Sequence, residues 1–483
     1  MICLTATATA RVAKDICNAF NIDYEAGLFR TSTYRPNLRL LAESARTKQE
    51  LYPKLFAFLL NNPGASIVYV TLQKQAEVLA DNLRGQGFNA KAFHAGMETA
   101  VKTKLQDEFM QCENLIIVAT IAFGMGIDKA SIRNVVHFNI PSSLESYSQE
   151  IGRAGRDGKP SICMFYVCGE DLHLREIFAR GDLPSRESVR GLLRDIFDPE
   201  IVKLPVGAEF KVSHLYYQKD FDIRQTTLSN IYVQLELRHG LIRATTPIYT
   251  KYSFKPGHSF SSKLLSDTSL AARAVKLTAK PTKSLTYIDV DAAANNVGIL
   301  RVDVIRKLNE WNEEQVIELK TSGVLNVYKV IKSLPKSPDE IEKLVSDIYT
   351  LMQKREQEAL DRTEAVLALI TNSKCFSRAL ANYFGDDLPG GKIECGHCTW
   401  CESHEAVRKL VPPKVDFNWE AFRQILEKVK SRDDARFLAR IAFGILSPRV
   451  TASKLRNHPV FRSMADHEFM VYGLPASVFL SQF

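Results

Sequence analysis

Five short apolar runs in the first third of the chain alternate with amphipathic stretches, and this alternation limits the folds open to it. The runs are apolar on both faces, as in strands that lie between two layers of helices. The predicted strands cover residues 65–72, 89–94, 114–120, 134–140 and 161–167. The helical patterns between them cover residues 73–85, 98–112 and 143–152. This order predicts a parallel α/β sheet, in which functional groups gather at the carboxyl ends of the strands.

The composition fits a soluble globular protein and excludes several other classes. Apolar residues make up 45% of the 483 residues and charged residues 24%, which excludes collagen-like, low-complexity and wholly disordered chains. At about 150 residues each, roughly three domains fit this length. No apolar run reaches the roughly 18 residues of a membrane span, and the N-terminus lacks the pattern of a secretory signal. We expect no membrane contact and no secretion, with a place in the nucleus of a eukaryote or otherwise in the cytoplasm.

The pattern changes after residue 175 to short helices and short β-rich pieces. Residues 228–244 contain a predicted helix, and an alternating run at 248–254 follows it, which is the outline of a winged helix. A second helix-turn-helix-like piece is predicted at 289–312, and an Ile- and Val-rich hairpin at 315–331. We expect a winged-helix-like α+β region over residues 176–335.

Two further helical regions follow. Residues 337–370 combine an apolar stripe with many charges, and we expect two helices there, arranged as a hairpin. The tail at 402–483 carries 13 Lys and Arg residues against 9 Asp and Glu residues, which is half of the chain's net charge of +8. This basic balance permits a polyanionic partner.

A basic segment with interleaved aromatic residues lies within the winged-helix-like region. Residues 241–285 hold eight Lys and Arg residues and one acid. Lysines neutralise phosphate charge and aromatic rings stack on unpaired bases, so this segment is our candidate for a DNA contact. The candidate contact residues are Lys251, Lys255, Lys263 and Arg273. The alternative is a solvated basic loop whose aromatic residues are buried beneath it.

Four cysteines form a metal-binding pattern. Cys375 is followed by three cysteines at three-residue spacing, Cys395, Cys398 and Cys401. Four thiolates suit a closed tetrahedral Zn²⁺ site, and the close spacing lets backbone amides donate hydrogen bonds to the sulfur atoms. Buried free thiols and an iron–sulfur cluster are the alternatives. A colourless protein with one equivalent of zinc would decide between the two metal centres.

A run of glycines and arginines follows the predicted helix at 143–152. Ser143 is placed to cap this helix, which presents Gln149 and Arg153 on one face, and Arg156 comes after the glycines. Arginine grips phosphate through two parallel hydrogen bonds and stabilises the charge that develops in phosphoryl transfer. For this run alone, a solvated helix end with incidental arginines is the alternative.

Further polar groups and glycines stand at the ends of neighbouring strands. Thr120 ends one strand and leads into a loop that contains Gly124, Gly126 and Asp128, while His94 ends another strand. Backbone N–H groups in such a loop suit phosphate, and a carboxylate suits a ribose hydroxyl. These residues predict a nucleotide site at the carboxyl edge of the sheet.

The order and spacing of these segments resemble a known family. With Thr5-Ala6-Thr7 near the N-terminus, they resemble motifs III, IV, V and VI of superfamily 2 helicases, and they are most similar to the RecQ family. The element from Arg35 to Leu38 and the run from His94 to Gly158 are especially similar. The cysteine segment, including Phe384, also resembles the RecQ zinc module. The resemblance implies a RecA-like sheet domain and an ATP-dependent motor that moves 3′ to 5′ on single-stranded DNA.

The resemblance also implies roles for individual residues. Arg156 corresponds to the arginine finger that reaches the γ-phosphate of ATP, with Arg153 and Gln149 beside it. The implied nucleotide-contacting positions are Asp128, Gly126 and Gly124. The implied DNA-contacting positions are Thr120, Thr5, Thr7 and His94. The implied cofactors are ATP with Mg and a structural Zn, and the implied partner is single-stranded and branched duplex DNA.

The chain departs from the family in one respect. It contains no G-x-x-x-x-G-K-[S/T] phosphate loop and no Asp-Glu-x-His element for magnesium, which provide most of the nucleotide binding in such motors. Both belong upstream of Thr5. We therefore expect a piece of a RecQ-type helicase that lacks the first RecA-like domain and needs it as a partner. We also expect no ATP hydrolysis by the chain alone.

The zinc module usually precedes the winged helix in this family, whereas here roughly 200 residues separate Arg156 from Cys375. This order resembles the Rothmund–Thomson-syndrome branch of RecQ helicases, and a generic helical insert is the alternative. The predicted domains are a remnant of the first RecA-like domain at 1–35, the second RecA-like domain at 36–175, the winged-helix-like region at 176–335, a helical hairpin with the zinc module at 336–404, and a basic helical tail at 405–483.

These observations lead to one expected function and two alternatives. We expect the C-terminal part of an ATP-dependent 3′–5′ DNA helicase of RecQ type, which unwinds duplex DNA in recombination, repair or replication. A catalytically inactive, zinc-containing DNA-binding module is one alternative. A superfamily 2 translocase that acts on RNA is the other, and the RecQ-like cysteine array argues against it.

Overall fold

The computed structural model describes residues 2–5, 7–124, 126–410, 415–429 and 434–469. The first third of the chain forms a layer of parallel strands covered by helices, and residues 38–180 are called the sheet domain below. The helices up to its end are α1 (Ala10–Phe20), α2 (Lys48–Asn61), α3 (Gln73–Gly85), α4 (Thr99–Gln111), α5 (Leu144–Ile151) and α6 (Gly169–Arg180). Its strands are β1 (Leu38–Ala45), β2 (Ser66–Tyr69), β3 (Ala90–Phe93), β4 (Ile116–Ala119), β5 (Asn134–His137) and β6 (Ser161–Cys168).

All six strands are parallel, in the order β1-β6-β5-β2-β4-β3. The five predicted strands and the three helices between them are present, so the parallel α/β fold is confirmed. The sequence pattern missed β1 and α2. β1 is an edge strand whose side chains are buried and exposed by turns, so it lacks a doubly apolar run. Pro53 inside α2 is typical of a helix break.

Residues 181–337 form an inserted region with an antiparallel sheet, and this name is kept below. Its helices are α7 (Arg186–Ile196), α8 (His214–Asp220), α9 (Gln225–Leu237), α10 (Phe260–Ser266), α11 (Leu270–Thr278), α12 (Val290–Val297) and α13 (Arg301–Glu313). Its strands are β7 (Glu209–Val212), β8 (Ile242–Ala244), β9 (Ile248–Pro256), β10 (Lys280–Pro281), β11 (Thr286–Ile288) and β12 (Ile317–Val330). The predicted helix-turn-helix-like piece corresponds to α12 and α13.

The predicted hairpin at 315–331 is wrong, because β12 is one continuous strand of 14 residues. β12 pairs with β9, so Ile317 lies opposite Pro256 and Leu325 opposite Ile248. The alternating run at 248–254 therefore finds its partner about 70 residues later in the sequence. Gly323 in the middle of β12 has a positive φ of 67°, which glycine accommodates within the strand.

A single helix of 34 residues, α14 (Pro338–Thr371), replaces the two helices predicted at 337–370. Ser337 and Glu340 form a capping box at its start. The first half of α14 packs in the core of the inserted region and the last turns pack in the core of the sheet domain. The middle of α14 is rich in charged residues, and the local pattern did not show that one helix continues through it. Within the described part of the chain, no helix is long and apolar enough to cross a membrane.

The zinc module (residues 372–404) returns to the sheet domain after the inserted region. It contains α15 (Phe376–Tyr383), a short 3₁₀ turn and α16 (Thr399–Ser403). Phe376, Phe384 and Cys398 are buried in one core with residues of β1, β5 and β6. The two segments are therefore one folded unit although roughly 200 residues separate them.

The tail contains α17 (Trp419–Lys428), α18 (Ala435–Phe443) and α19 (Pro448–Ala452), of which α18 and α19 contact the inserted region. Arg440 is 2% exposed and forms an ion pair with the buried Asp222 at 2.7 Å, and it also donates to the carbonyl of Leu183. Residues 411–414, 430–433 and 470–483 of the predicted basic tail lie outside the described residues. The predicted domain boundaries stay predictions.

Candidate active site and zinc centre

The cleft beside α5 contains the predicted nucleotide-binding arginines. It has a volume of about 460 Å³ and is lined by Thr7, Gln149, Arg153 and Arg156, among others. As predicted, Ser143 caps α5, because its hydroxyl accepts a hydrogen bond from the backbone N–H of Ser146 at 3.2 Å. The glycines that follow α5 turn the chain, so that Arg153 and Arg156 lie at the rim of the cleft.

Three contacts join these residues to the other predicted motifs. Gln149 donates a hydrogen bond from Nε2 to Oγ1 of Thr7 at 3.0 Å. The guanidinium of Arg153 donates to the carbonyl oxygen of Gly124. Arg156 forms an ion pair with the exposed carboxylate of Asp128. The fold thus brings segments separated by up to 142 positions into one surface.

Of the other predicted residues of this site, Thr120 and His94 are buried, whereas Thr5 is exposed. Thr120 and His94 are 8% and 7% exposed, and Nε2 of His94 lies 3.1 Å from a carboxylate oxygen of Glu77. Thr5 is exposed, with its hydroxyl 3.3 Å from the carbonyl of Thr7. Gly126 adopts a positive φ of 80° in the loop after Thr120. The DNA contacts assigned to these side chains stay predictions.

The sequence analysis did not assign a role to Arg35 and Asn37, yet both hold the turn that carries Arg156. Arg35 donates to the carbonyl oxygens of Ala154 and Gly155, at 3.2 and 2.6 Å, and Asn37 donates to that of Gly155 at 2.8 Å. A Cβ atom on Gly155 would lie 2.5 Å from Nδ2 of Asn37, so the close approach requires glycine. The sequence did point to these two residues, because the element from Arg35 to Leu38 resembles the RecQ family.

A buried polar pair, His137 and Glu150, joins the end of β5 to α5. Nε2 of His137, at the end of β5, lies 2.6 Å from a carboxylate oxygen of Glu150, and these side chains are 1% and 9% exposed. Tyr147 packs its ring 4.9 Å from the ring of His137. Because Glu150 lies between Gln149 and Arg153, this pair helps to fix the helix that presents them.

The four predicted cysteines converge on one point. Their sulfur atoms lie within 4.8 Å of one another. Backbone N–H groups of Arg378 and Cys395 donate to Sγ of Cys375 at 3.5 and 3.2 Å, and that of Phe376 donates to Sγ of Cys398 at 3.4 Å. Four clustered thiolates that accept N–H bonds are the donor set of a structural zinc site, so the residues fit the metal. Bound zinc would be held by Cys375, Cys395, Cys398 and Cys401.

Polar contacts attach the zinc module to the sheet domain on two sides. Arg39 on β1 forms an ion pair with Glu402, in which Nη2 of Arg39 lies 2.7 Å from each carboxylate oxygen. The hydroxyl of Tyr383 donates to Glu145 in the first turn of α5 at 2.5 Å. Burial and the neighbouring Glu145 raise the pKa of Tyr383 to about 12. The zinc module thus braces the helix that carries Gln149.

Of the four predicted DNA-contact residues of the inserted region, two form ion pairs with acidic residues and two have none within the described residues. Lys255 lies 3.4 Å from Glu318, and Lys263 lies 2.7 Å from Glu314. In the described part of the chain, Lys251 has no ion-pair partner, and neither does Arg273. Of the aromatic residues in this segment, Tyr252 and Phe254 are buried, whereas Tyr249 is 37% exposed. Among those three, stacking on a base is open to Tyr249 alone.

Two protein families match parts of the chain, and they agree with this geometry. Residues 47–158 match the helicase conserved C-terminal domain, and residues 339–402 match the RecQ zinc-binding region. The parallel sheet, the arginine-lined cleft and the first of these matches define a superfamily 2 helicase domain. Within this superfamily, the cysteine cluster and the second match indicate similarity to helicases of the RecQ type. Two segments of the chain, residues 47–158 and 339–402, are thus similar to the corresponding parts of RecQ-type helicases.

Several ATP-dependent DNA helicases are similar to parts of this chain. The rat ATP-dependent DNA helicase Q5 is 38% identical over 200 residues, which are 39% of this chain and 21% of the relative. The ATP-dependent DNA helicase Q-like 5 of Arabidopsis thaliana is 28% identical over 72% of this chain and 38% of its own length. The ATP-dependent DNA helicase RecQ of Haemophilus influenzae is 38% identical over 39% of this chain and 30% of its own length. The chain thus spans about a fifth to two fifths of these relatives, and its assignment to the Rothmund–Thomson branch stays a prediction.

Proposed function

We propose that this chain forms the C-terminal half of an ATP-dependent motor that unwinds DNA in the 3′ to 5′ direction. The observation that carries the proposal is the set of three contacts Gln149–Thr7, Arg153–Gly124 and Arg156–Asp128. They gather an arginine pair, a glycine loop and a threonine in the cleft beside α5. Grouped arginines of this kind suit the phosphates of a nucleotide.

The chemistry proposed for the site is stabilisation of charge on a transferring phosphoryl group. Arg156 is 37% exposed in its side chain and stands at the rim of the cleft, so it can turn toward a nucleotide held by a facing RecA-like domain. Its ion pair with Asp128 must open for this to happen. A positioned arginine of this kind contributes about 10³- to 10⁵-fold to the rate of phosphoryl transfer.

The coupling to DNA is proposed to run through the same contacts. Gln149 joins α5 to Thr7, and Arg153 joins the turn after α5 to the loop that begins at Thr120. A shift of Arg156 toward ATP would therefore move the loop and the N-terminal threonines together. Movement of these segments along single-stranded DNA would displace the paired strand.

We propose a structural role for zinc. The metal would join the segment that begins at Cys375 to the Cys395–Cys401 loop and so hold the zinc module on β1 and α5. The DNA substrate is proposed to include single-stranded and branched duplex forms. For a eukaryotic source, the proposed location is the nucleus.

The proposal is tested by supplying the facing domain. The 483-residue chain is joined behind the first RecA-like domain of the Haemophilus influenzae relative, and DNA-stimulated ATP hydrolysis is measured. We expect hydrolysis by the fusion and none by the chain alone. R156A should lower turnover at least about 10³-fold while DNA binding persists. R84A is the matched control, because Arg84 pairs with Asp81 on α3 of the same domain and does not line the cleft.

The two alternatives give different results in the same assay. A fusion that binds DNA without hydrolysing ATP, and that is indifferent to R156A, would indicate a zinc-containing DNA-binding module. Hydrolysis stimulated by RNA but not by DNA would indicate an RNA translocase. Either result would contradict the proposed DNA helicase function.

A further inference from the structure

A second pocket lies at the junction of α6, α9 and α14. Its volume is about 440 Å³, and it is separate from the cleft beside Arg156 because the two share no lining residue. One wall is a face of α9 with polar residues at helical spacing, Thr227, Asn230 and Gln234. The opposite wall is a face of α14. Neither the nucleotide-binding residues nor the zinc ligands reach this pocket.

The most informative residue of the pocket is Gln234. Its side chain is 7% exposed, and neither its amide nitrogen nor its amide oxygen has a hydrogen-bond partner within the described residues. A buried amide that leaves both groups unpaired is unfavourable unless a ligand or water completes it. The amide offers one donor edge and one acceptor side by side, which is the pattern that pairs with the edge of a nucleobase.

The uncompensated charge at the pocket is positive. The acidic residues that line it each face a cation: Asp182 lies 3.1 Å from Arg224, Glu356 pairs with Arg436, and Glu358 lies 4.0 Å from Lys354. By contrast, Arg355 and Arg362 on α14 form no ion pair within 4.0 Å among the residues that the structure describes, and only Arg362 interacts electrostatically with a carboxylate outside the pocket, that of Glu145. They are seven positions apart, which places them on the same face of the helix. An anionic ligand would satisfy both.

Apolar groups complete the pocket. Phe178 at the end of α6 is 49% exposed and lines the opening, and Ile231 and Met352 form part of the interior. A partly exposed aromatic ring at a polar pocket is a stacking surface for a base. The volume also falls within the usual range of small-molecule sites, about 300 to 1,000 Å³.

We propose that this pocket binds a single unstacked nucleotide. The base would stack on Phe178 and present its edge to Gln234, and the phosphate would face Arg355 and Arg362. An acidic peptide would also satisfy the arginines, but it would leave the exposed ring of Phe178 without a flat partner. The nucleotide can come from an unpaired position in a DNA strand or from free nucleotide, and both sources share this chemistry.

The test measures binding of fluorescein-labelled 12-nucleotide oligo(dA) and oligo(dT) to the full 483-residue chain by anisotropy over a range of salt concentrations. The double variant R355E/R362E should weaken binding at least about tenfold and lower the salt slope by about one, because the two arginines face one phosphate. K343E is the matched control, since Lys343 is an exposed cation on α14 that does not line the pocket. If K343E weakens binding as much as R355E/R362E, the effect is general electrostatics and the proposal fails.

A second variant separates binding from folding. Q234L replaces an unpaired buried amide with an apolar side chain of similar size, so the melting temperature should stay the same or rise. Affinity for oligo(dA) should nevertheless fall several-fold, and the difference between oligo(dA) and oligo(dT) should shrink. A misfolded variant would lose stability and binding together. Unchanged affinity and base preference in a stable Q234L protein would overturn the proposal.

Competition identifies the source of the nucleotide. If free dAMP displaces oligo(dA) from wild type but not the residual binding of Q234L, the pocket accepts free nucleotide. If dAMP does not compete but both variants still weaken oligonucleotide binding, the pocket takes a nucleotide within a strand. If an octa-glutamate peptide binds wild type and neither oligonucleotide depends on Gln234, the pocket is a peptide site and the proposal is wrong. None of these results depends on ATP hydrolysis at Arg156.

Discussion

The sheet domain and the inserted region form their hydrophobic cores in different ways. The sheet domain is built mostly from neighbours in sequence, because five of its six parallel strands are each followed by a helix. The inserted region depends on β12, which pairs with β9, β8 and β7 across long stretches of chain. The zinc module adds one long-range attachment to the sheet domain. One unit thus combines local folding with a metal, whereas the other relies on distant strand pairing alone.

This difference indicates that position in the chain is a poor guide to position in space. The zinc module lies beyond the inserted region in sequence, yet it shares a core with β1, β5 and β6. The two units meet along α14, whose ends are buried in different cores. We therefore expect changes in one unit to leave the other folded, and the following variants test this separation.

Loss of zinc should have the largest effect. C398S removes one ligand from a site whose metal holds two segments together, and we expect zinc to be lost and the sheet domain to be destabilised by more than about 5 kcal/mol. The inserted region should keep its resistance to protease. Zinc is measured by mass spectrometry, and protected fragments are mapped after limited proteolysis.

The matched control for this variant is C112S. Cys112 is partly buried in the sheet domain but lies outside the metal site, so zinc content should stay at one equivalent. Retention of full zinc content by C398S would contradict the four-cysteine site. Collapse of both units together would contradict the separation between them.

Removal of a buried ring should have the next largest effect, confined to one unit in each case. Phe384 and Phe254 are both fully buried, the first in the core shared by the zinc module and the sheet domain, the second in the inserted region. Each substitution by alanine should cost about 3–5 kcal/mol. Native-state hydrogen exchange should show reduced protection in the sheet domain for F384A and in the inserted region for F254A. An equal reduction in both units from either variant would show that they unfold together.

The sequence predicted the sheet domain well because its signals are local. Strands that are apolar on both faces, helices of matching period and the capping residue Ser143 all act within about ten residues, and each was confirmed. The edge strand β1 was missed because its pattern is that of a half-exposed segment. The cysteine site could be predicted as well, since three of its four ligands lie within seven residues.

The inserted region was predicted less completely because its structure depends on pairing that no local pattern shows. The run at 248–254 is extended as its alternation indicated, but its partner β12 was predicted as a hairpin at 315–331. The role of Arg35 was also hidden, because its contacts with Ala154 and Gly155 exist only once the sheet has formed. The cysteines were found from their spacing, but their place against β1 was not.

Acid should weaken the inserted region through His214. This side chain is 6% exposed, its Nε2 lies 3.0 Å from the hydroxyl of Tyr328, and burial lowers its pKa from 6.5 to about 4. Because the unfolded chain takes up the proton first, stability is complete above pH 6.5, falls as the pH drops from 6.5 to 4, and changes no further below 4. His214 contributes the slope of one proton, and His239 in the same region, whose pKa burial also lowers, adds to it. H214N should flatten it in urea titrations followed by protection of the inserted region, and an unchanged slope would exclude His214 as the cause.

The smallest effect should come from the exposed ion pairs of β9 and β12. Lys320 and Lys255 hold the pKa of the Glu318 carboxyl below its usual value, but all three groups are about half exposed, and solvent screens such pairs strongly. E318Q should shift the melting temperature by no more than about 2 °C. It should also leave Lys255 and Lys320 uncompensated, so that affinity for single-stranded DNA rises about twofold and the salt slope becomes steeper if this sheet contacts phosphate. E200Q is the matched control, because Glu200 pairs with Lys203 in the inserted region away from this sheet. Equal DNA affinity for both variants would remove β9 and β12 from the DNA-binding surface and leave the basic segment as a solvated surface of the inserted region.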